Sequence, residues 1–269
     1  MASKTLQLGR PVTYCEEYSP KLLRTVDRAI GRATLSCKNF TGFDLWRLYE
    51  LTFLLPNGAP KIACGTLKVP ADSTCIVESK SLKLYLTSFS QTKFADIDEV
   101  QRLITRDLNE ITSSEVEVLL YDLEYCPFVP ERMEGTLIDD PTVSCGTFRY
   151  NPKLLEYAPN HDLVSETLRS NCLRTLCPVT GQPDYASVSI TYQGRQLSRR
   201  SLWLYLCSLR RHAGFHEQCV EMIYSDIREM LKPEQLTVYA CFSRRGGIDI
   251  SPLRSNIVTN RLPPRLLRQ

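Results

Sequence analysis

Cys177 and Asp184 lie seven positions apart in the segment CPVTGQPD, and the residues between them favour a stiff turn. Proline fixes φ and glycine permits tight turns, so two prolines and a glycine in this segment exclude a regular helix or strand. A stiff turn holds a thiol and a carboxyl group at a fixed separation, as a nucleophile and its proton carrier require. The alternative interpretation is a buried cysteine beside a surface turn.

Two further polar segments open predicted helices, one in each half of the chain. Glu78-Ser79-Lys80 precedes a helix in the first half, and Phe215-His216-Glu217 begins a helix in the second half. Each has a structural alternative, because Glu78 can cap its helix and Glu217 can face the positive end of a helix dipole. The two halves carry different motifs, which is expected if one site is assembled from both.

The chain repeats itself at an offset of about 120 residues. The segment SLKLYLTSF at 81–89 matches SLWLYLCSL at 201–209 with six identities in nine positions. Apolar residues at helical spacing then predict amphipathic helices over 96–111 and 216–231. A match of this length followed by the same order of elements indicates an internal duplication.

Alternating apolar residues predict strands around these helices. The predicted strands lie at 45–55, 116–123, 186–192 and 236–243, with a further short strand at 136–138. Each half is interpreted as strand, strand, helix, helix, strand and strand, an α+β module with an antiparallel sheet backed by two helices. We divide the chain into an N-terminal module, residues 1–125, and a C-terminal module, residues 126–269.

Composition excludes several broad classes of protein. The net charge is +3, from 33 basic and 30 acidic residues, which gives no general attraction to nucleic acid or an anionic membrane. No apolar leader is visible at the start of the sequence and no apolar run reaches membrane length. Eleven cysteines without a CxxC pair are typical of a reducing compartment. We therefore expect a cytoplasmic protein.

Four segments together resemble the QueF family of NADPH-dependent 7-cyano-7-deazaguanine reductases. They are ESKSLKLYL, CPVTGQPD, FHEQCV and RRGGIDISPLRS, and the resemblance covers roughly residues 40–256. The duplicated arrangement resembles the long, bimodular form of the family. The resemblance implies tandem tunnelling-fold modules. It also implies reduction of a nitrile to a primary amine with two NADPH, on the way to the queuosine base of tRNA.

The resemblance also implies roles for single residues. Cys177 is implied to be the nucleophile that forms a thioimide with the nitrile. A free thiol has a pKa of about 8.5 and needs a partner to take its proton near neutrality. Asp184 is implied to be that partner. His216 is a second candidate proton carrier, because imidazole titrates near neutral pH.

The carboxylates of Glu78 and Glu217 are implied to hold the deazaguanine base. The guanine-like edge presents a ring N–H and an amino group side by side, and a carboxylate accepts both. Val77, Ser79 and His216 are implied to line the same pocket.

The sequence contains no GxGxxG segment, so a Rossmann domain is not expected to hold the cofactor. The residues that match family cofactor positions are Ser79, Lys80, Arg245 and Gly246. Arginine suits phosphate groups and glycine permits close approach of the backbone. Arg244 and Arg254 are weaker candidates, whose alternative role is a solvated basic strand end.

One departure from the family pattern concerns the nucleophile. Long-form members often carry Ser-Asn-Cys where the nucleophile lies, and this chain has Ser170-Asn171-Cys172 followed by Cys177. The family spacing to the aspartate is seven, which Cys177 satisfies and Cys172, at twelve, does not. We therefore predict that Cys177 is the nucleophile.

Two rival functions were weighed. A zinc enzyme would use Cys172, Cys177, His212 and His216 as ligands, but it leaves Asp184 and the Arg-Gly segment unexplained. A non-catalytic RNA-binding module would use Arg244, Arg245 and the basic tail, but the near-neutral net charge of the chain argues against this function. No metal, nucleic acid or membrane is expected as a partner.

Because open sheet edges are usually covered, we expect a homo-oligomer, most simply a dimer.

Overall fold

The computed structural model describes residues 15–160 and 162–269. The N-terminal residues in which no apolar leader is expected, 1–10, lie outside the described residues. The strands are β1 (Thr25–Asp27), β2 (Thr41–Leu54), β3 (Pro60–Pro70), β4 (Cys75–Val77), β5 (Glu117–Asp122), β6 (Thr136–Leu137), β7 (Leu163–Leu176), β8 (Pro183–Arg195), β9 (Gln235–Phe242) and β10 (Ile248–Ser255). The α-helices are α1 (Arg28–Arg32), α2 (Ser79–Thr87), α3 (Ile97–Thr112), α4 (Arg199–Ser208) and α5 (His216–Leu231). Among these residues, no helix is both long enough and apolar enough to span a membrane.

One large sheet unites the two halves of the chain. In the described part, eight strands run in the order β5-β3-β2-β10-β9-β8-β7-β6, and β1 pairs with β4 in a separate two-stranded sheet. The pairs within the large sheet are antiparallel except β6 with β7. The last strand, β10, pairs with β2 from Ile248↔Leu48 to Ser255↔Thr41. This pairing joins the second module to the first along eight residues.

The predicted α+β class with tandem tunnelling-fold modules is confirmed. The second module has the predicted order β7, β8, α4, α5, β9 and β10, and the first has β2, β3, α2, α3 and β5 in equivalent places. The predicted helices at 96–111 and 216–231 correspond to α3 and α5, and the predicted short strand at 136–138 corresponds to β6. The division of the chain after residue 125 stays a prediction.

One part of the predicted pattern is wrong. The first module was expected to end in a fourth strand, but in the described residues β5 is the edge of the sheet. Pro127 and Pro130 follow it closely, and proline has no N–H to donate to a strand ladder. The segment after β5 therefore does not extend the sheet.

The helices pack their apolar faces on one side of the sheet. In α3 the predicted face buries Val100, Ile104 and Leu108, and in α5 it buries Val220 and Ile227. Burying such side chains stabilises the fold by roughly 1.5–3 kcal/mol each, so this face holds the helix in place. These contacts fix the starts of the helices, where the polar motifs lie.

The duplication extends further than the sequence comparison indicated. Tyr18 begins the segment YSPKLL and Tyr150 begins YNPKLL, at an offset of 132 residues. Both segments form a short 3-10 turn. The hydroxyl of Tyr18 donates to Asp107 at 2.5 Å, and the hydroxyl of Tyr150 donates to Asp226 at 3.0 Å. Each module therefore begins with a tyrosine that binds its long helix.

Candidate active site

A cavity of about 390 Å³ lies where the two modules meet. It is lined from the first module by Glu78, Ser79, Lys80 and Lys83, and by Trp46 of β2. It is lined from the second module by Cys177, Pro178, Val179, Thr180, Gln182, Asp184, Gly214, Phe215, His216, Ser243, Arg245, Gly246, Ile248, Asp249 and Ile250. One chain thus brings the polar motifs of both halves to a single cavity.

Cys177 lies directly after β7, at the start of the turn that leads into β8. Its N–H donates to the carbonyl of Gln182 at 2.9 Å, and its carbonyl accepts from the N–H of Gly181 at 2.9 Å. Gly181 has φ of +68°, in the left-handed region that glycine occupies without strain. Asp184 then pairs with Thr175 in the β7–β8 ladder. The predicted stiff turn is present, with the thiol and the carboxyl group at its two ends.

The start of α5 is tied to the end of β7. Leu176 donates its N–H to the carbonyl of His212 at 2.8 Å and accepts from the N–H of Gly214 at 3.1 Å. These bonds place His216, the first residue of α5, beside the turn that carries Cys177. The imidazole lies against the ring of Phe242, with the centroids 4.2 Å apart. The aromatic contact limits the orientations that the imidazole can adopt.

The carboxyl group of Asp184 is buried between two nitrogen-bearing side chains. His216 Nε2 lies 3.4 Å and Arg245 Nη1 lies 3.0 Å from its Oδ1. Arg245 also donates to the carbonyl of Pro183. A buried carboxylate needs such partners, because an unpaired charge in the interior is costly. Asp184 and His216 line the same cavity as the Cys177 thiol.

Glu78 caps the helix that it precedes. Its carboxylate accepts from the N–H groups of Lys80 at 2.9 Å and Ser81 at 2.7 Å. The alternative role of Glu78, as a helix cap, is thus present. A carboxylate oxygen has more than one acceptor position, so a capping glutamate can still accept hydrogen bonds from a ligand. Ser79 and Lys80 line the cavity beside it, whereas Val77 lies in the hydrophobic core and does not line it.

Glu217 is buried at the junction of the modules, 3% exposed, and does not line the cavity. Burial and the nearby charge of Asp44 raise the pKa of Glu217 to about 8, against the attraction of Arg28 and Arg254. Near neutral pH its carboxyl group is therefore largely protonated in this arrangement. Glu217 follows the cavity-lining His216 by one position, and a helix turns the two side chains in different directions.

Arg254 belongs to a buried ion network rather than to a cofactor site. Its side chain is fully buried and pairs with Asp44 at 2.8 Å and with Glu221 at 2.8 Å. Arg28 binds Asp44 at 2.6 Å from the opposite side. The expectation that Arg254 contacts phosphate is therefore wrong, because both of its faces are already occupied by carboxylates. The network joins β2, β10 and α5 across the module boundary.

The basic residues at the cavity fit an anionic, phosphate-bearing group. Lys80 and Lys83 line it, and neither has an ion-pair partner within residues 15–160 and 162–269. Gly246 has φ of +59°, in the left-handed region that favours glycine, and the flexible end of the Lys83 side chain lies close to it. Arg244 instead lies over the ring of Tyr49 at 4.7 Å and does not line the cavity.

Several residues of this cavity were given no role from the sequence, among them Trp46, Lys83 and Asp249. Lys83 carried a detectable signal, since it lies three positions after Lys80 on one helix, a spacing that places both on the same face. Asp249 stands in the segment RRGGIDISPLRS, whereas Trp46 carried no signal, because strand pairing between the modules brings it to the site.

Cys172 lies in a different environment from Cys177. It sits in an irregularity of β7 between Ser170 and Leu173, with its Sγ 3.5 Å from Oδ2 of Asp139. Partial burial and the negative charge of Asp139 raise the pKa of its thiol. Cys172 does not line the cavity. Across the described ranges, no group of three or more His, Cys, Asp or Glu side chains is arranged to hold a metal ion.

Tandem tunnelling-fold modules bring a cysteine, an aspartate and a histidine to one cavity at their junction. Residues 14–120 match the family described as "Nitrile reductase, 7-cyano-7-deazaguanine-reductase N-term", and residues 183–260 match "QueF-like protein". The chain belongs to the QueF family of nitrile reductases, which are oxidoreductases. The family resemblance predicted from the sequence is confirmed.

One solved structure is also similar, the archaeosine synthase QueF-Like in its apo form. The identity is 20%, the match covers 36% of this chain and 96% of that chain, and the TM-score is 0.32. The family assignment rests on the two family matches.

Proposed function

We propose that this protein reduces 7-cyano-7-deazaguanine to 7-aminomethyl-7-deazaguanine with NADPH, in the biosynthesis of the queuosine base. The observation that carries this proposal is the single cavity that holds Cys177, Asp184 and His216 together with Glu78. Membership of the nitrile reductase family supports the reaction class. The geometry supports a covalent route, since a thiol and its proton carriers meet there.

The first step is addition of the Cys177 thiol across the nitrile. The sulfur forms a bond to the nitrile carbon while one C–N π bond breaks. The thiol proton passes through Asp184 or His216 to the nitrogen, giving a thioimide without oxidation or reduction. A C=N bond next to sulfur accepts hydride more readily than the nitrile, so covalent catalysis divides one difficult step into easier ones.

The base is oriented by carboxylates on opposite sides of the module boundary. Glu78 faces the cavity and accepts the guanine-like N–H and amino donors as a charge-assisted pair. Glu217 does not line the cavity in the free protein, so it would reach the base only after the base displaces part of the cavity wall. Because its pKa is raised, it would meet the base as a neutral acid. A neutral carboxyl group has both a donor and an acceptor, so it suits a different edge of the base from Glu78.

The cofactor would be held by Ser79, Lys80, Arg245 and Gly246, with Lys83 as an additional cation. Two NADPH molecules, bound one after the other, would each supply one hydride, and these with two protons would convert the nitrile to the aminomethyl group. The chain's part in these steps is to orient the thioimide, to donate protons from Asp184 or His216 to nitrogen, and to release Cys177 as a thiol.

The remaining expectations are proposals of the same kind. We propose that the protein acts in the cytoplasm on a small-molecule substrate and that copies of it associate as a homodimer. The open edge at β5 supports association, since unpaired strand edges in native proteins are usually covered. Gel filtration with light scattering would measure the assembly.

Loss of NADPH absorbance on addition of 7-cyano-7-deazaguanine tests the proposal. We expect two NADPH to be consumed for each amine formed, with the product identified by mass spectrometry. NADH and 7-aminomethyl-7-deazaguanine serve as controls for the cofactor and the substrate. Purified protein that neither oxidises NADPH nor forms an adduct with the nitrile would refute the proposed function.

A further inference from the structure

Three groups interact with the Asp184 carboxyl group, and a fourth, Cys177, lines the same cavity. They are Cys177 at the end of its own turn, His216 at the start of α5, the thiol of Cys219 one turn further along α5, and Arg245 before β10. Arg245 lies closer to Asp184 Oδ1 than His216 does, at 3.0 Å compared with 3.4 Å. Its guanidinium is the permanent positive charge in this set, because a histidine is charged only when protonated.

Arg245 is itself held in place by the backbone. It pairs with Ile248 across a tight turn, donating its N–H at 2.9 Å and accepting at 3.3 Å. Gly246 and Gly247 form this turn with φ of +59° and +84°. The guanidinium also donates to the carbonyl of Pro183, the residue before Asp184. The Arg245 side chain therefore binds both the backbone and the carboxylate at the start of β8.

We infer that Arg245 is a positioning residue for Asp184, which it holds as an oriented carboxylate ready to take the proton of Cys177. This inference rests on the proposed function, since it concerns the addition of the thiol to a nitrile. The role belongs to the first half of the reaction, which needs no cofactor.

The burial of Asp184 and the partial exposure of Arg245 support this positioning role. The Asp184 side chain is 5% exposed and cannot keep a charge there without a partner, whereas the Arg245 side chain is 36% exposed and reaches in from the rim. Lys80 and Lys83 have no ion pair in the described residues and remain available for phosphate. The guanidinium of Arg245 is engaged by Asp184 on its inner side, and its exposed side at the rim is the part that the cofactor would contact.

The rate of thioimide formation without any nicotinamide cofactor separates the two roles of Arg245. Wild-type protein and Arg245→Met are mixed with 7-cyano-7-deazaguanine, and intact-protein mass spectrometry follows the adduct over time between about pH 5 and 9. We expect Arg245→Met to form the adduct roughly ten- to a hundredfold more slowly, as misplacement of a reacting group does elsewhere. Its pH profile should differ from that of wild type, because the positive charge next to the Asp184 carboxyl group is lost.

Two further variants show whether the effect belongs to this ion pair. Arg245→Lys keeps the charge but not the fork of donors, so we expect an adduct rate between those of wild type and Arg245→Met. Arg244→Met removes the adjacent arginine, which stacks on Tyr49 outside the cavity, and should leave the adduct rate unchanged. Circular dichroism and thermal melting confirm that each variant is folded.

Three outcomes are informative. Slow adduct formation in Arg245→Met, with partial rescue by lysine, supports the positioning role. A folded Arg245→Met protein with the wild-type rate and pH profile overturns it, even if NADPH oxidation is impaired. Failure of the wild-type protein to form any adduct refutes the proposed function instead, and so is distinguishable from failure of this inference.

Discussion

The hairpin of the first module and the hairpin of the second module end in the same set of hydrogen bonds but carry different side chains. In the first, Leu54 donates to Thr92 at 3.0 Å and accepts from Phe94 at 2.9 Å. In the second, Leu176 makes the equivalent bonds to His212 and Gly214. The next residue is Leu55 in one module and Cys177 in the other. The backbone has been kept, and the cysteine is present in one copy alone.

The same comparison holds for the proton carriers. Asp184 pairs with Thr175 in the second hairpin, and Lys61 pairs with Phe53 at the equivalent place in the first. The long helix begins with His216 in α5 and with the apolar Ile97 in α3. The first module therefore has no equivalent of the proton carriers of the second.

The helix caps show the opposite asymmetry, because here the first module carries the acidic side chain. Glu78 caps α2 with its carboxylate, and Ser198 caps α4 by accepting from the N–H of Ser201 at 3.2 Å. Serine is a good N-cap, so a glutamate is not needed for helix stability alone. Each copy has kept the backbone and the cap that fold it, and each has supplied only part of the chemistry. Duplication here permits one site that neither module could form by itself.

The largest expected effect comes from making the second hairpin resemble the first. Cys177→Ala should abolish both turnover and the covalent adduct, because no other thiol lines the cavity in the described part of the chain. Cys172→Ala is the matched control and should keep the adduct, since Cys172 faces Asp139 outside the cavity. Intact-protein mass spectrometry distinguishes the two. An adduct that persists in Cys177→Ala would move the nucleophile elsewhere.

A second experiment asks whether the halves must lie on one chain. Glu78 and Cys177 line the same cavity of a single chain, so Glu78→Ala and Cys177→Ala should not complement each other. The two variants are co-expressed with different tags, and oligomers carrying both tags are purified and assayed for NADPH oxidation. Activity well above that of either variant alone would show that sites form between chains.

The cap can be exchanged between modules to separate folding from binding. Glu78→Ser gives α2 the cap that α4 uses, so we expect a stability loss below about 1 kcal/mol. The carboxylate that faces the base is removed, and binding of the nitrile should weaken by roughly ten- to a hundredfold, or about 1–3 kcal/mol. Calorimetry measures binding, and thermal melting measures stability. Ser198→Ala is the reverse control: it is expected to cost about 1 kcal/mol of stability and to leave the binding of the nitrile unchanged. Wild-type affinity for the nitrile in Glu78→Ser would contradict a role of Glu78 in base recognition.

The sequence predicted those parts of the fold that follow from local pattern. Residues 96–111 and 216–231 have strong helical periodicity and were placed to within one residue, because a single apolar face decides the fold of an amphipathic helix. The pairing of β2 with β10 could not be predicted, since strand partners far apart in sequence leave no local signal. The equivalence of Tyr18 and Tyr150 was missed because their offset differs from that of the main repeat.

The site was predictable where its residues belong to unusual segments. Cys177, Asp184, His216 and Glu78 stand in motifs with turn or cap chemistry, and all four line one cavity. The environment of Glu217 was not predictable, because its burial depends on charges that arrive from other elements. Motifs indicate which side chains matter, and tertiary packing decides their protonation.

Glu217 provides the last and smallest contrast between the modules. Its equivalent in the first module, the second residue of α3, is Asp98, which is exposed to solvent. The pKa of Glu217 is raised from 4.5 to about 8, first by burial and then by Asp44. Between these two values the folded protein keeps a proton that the unfolded chain releases. This group therefore lowers the free energy of unfolding as the pH rises through that window.

Glu217→Gln removes this dependence, because glutamine has nearly the same shape and does not ionise. Relative to wild type, we expect the variant to gain about 1 to 3 kcal/mol of stability as the pH is raised through the window set by the two pKa values. The gain should be absent on the acidic side of the window, where Glu217 is protonated in both states. Asp98→Asn is the matched control, and its stability relative to wild type should not change in this way since Asp98 is exposed. Urea melts without ligand at a series of pH values measure both differences. A Glu217→Gln difference that stays flat with pH would mean that the buried carboxyl group is ionised in the free protein, with Arg28 and Arg254 compensating its charge.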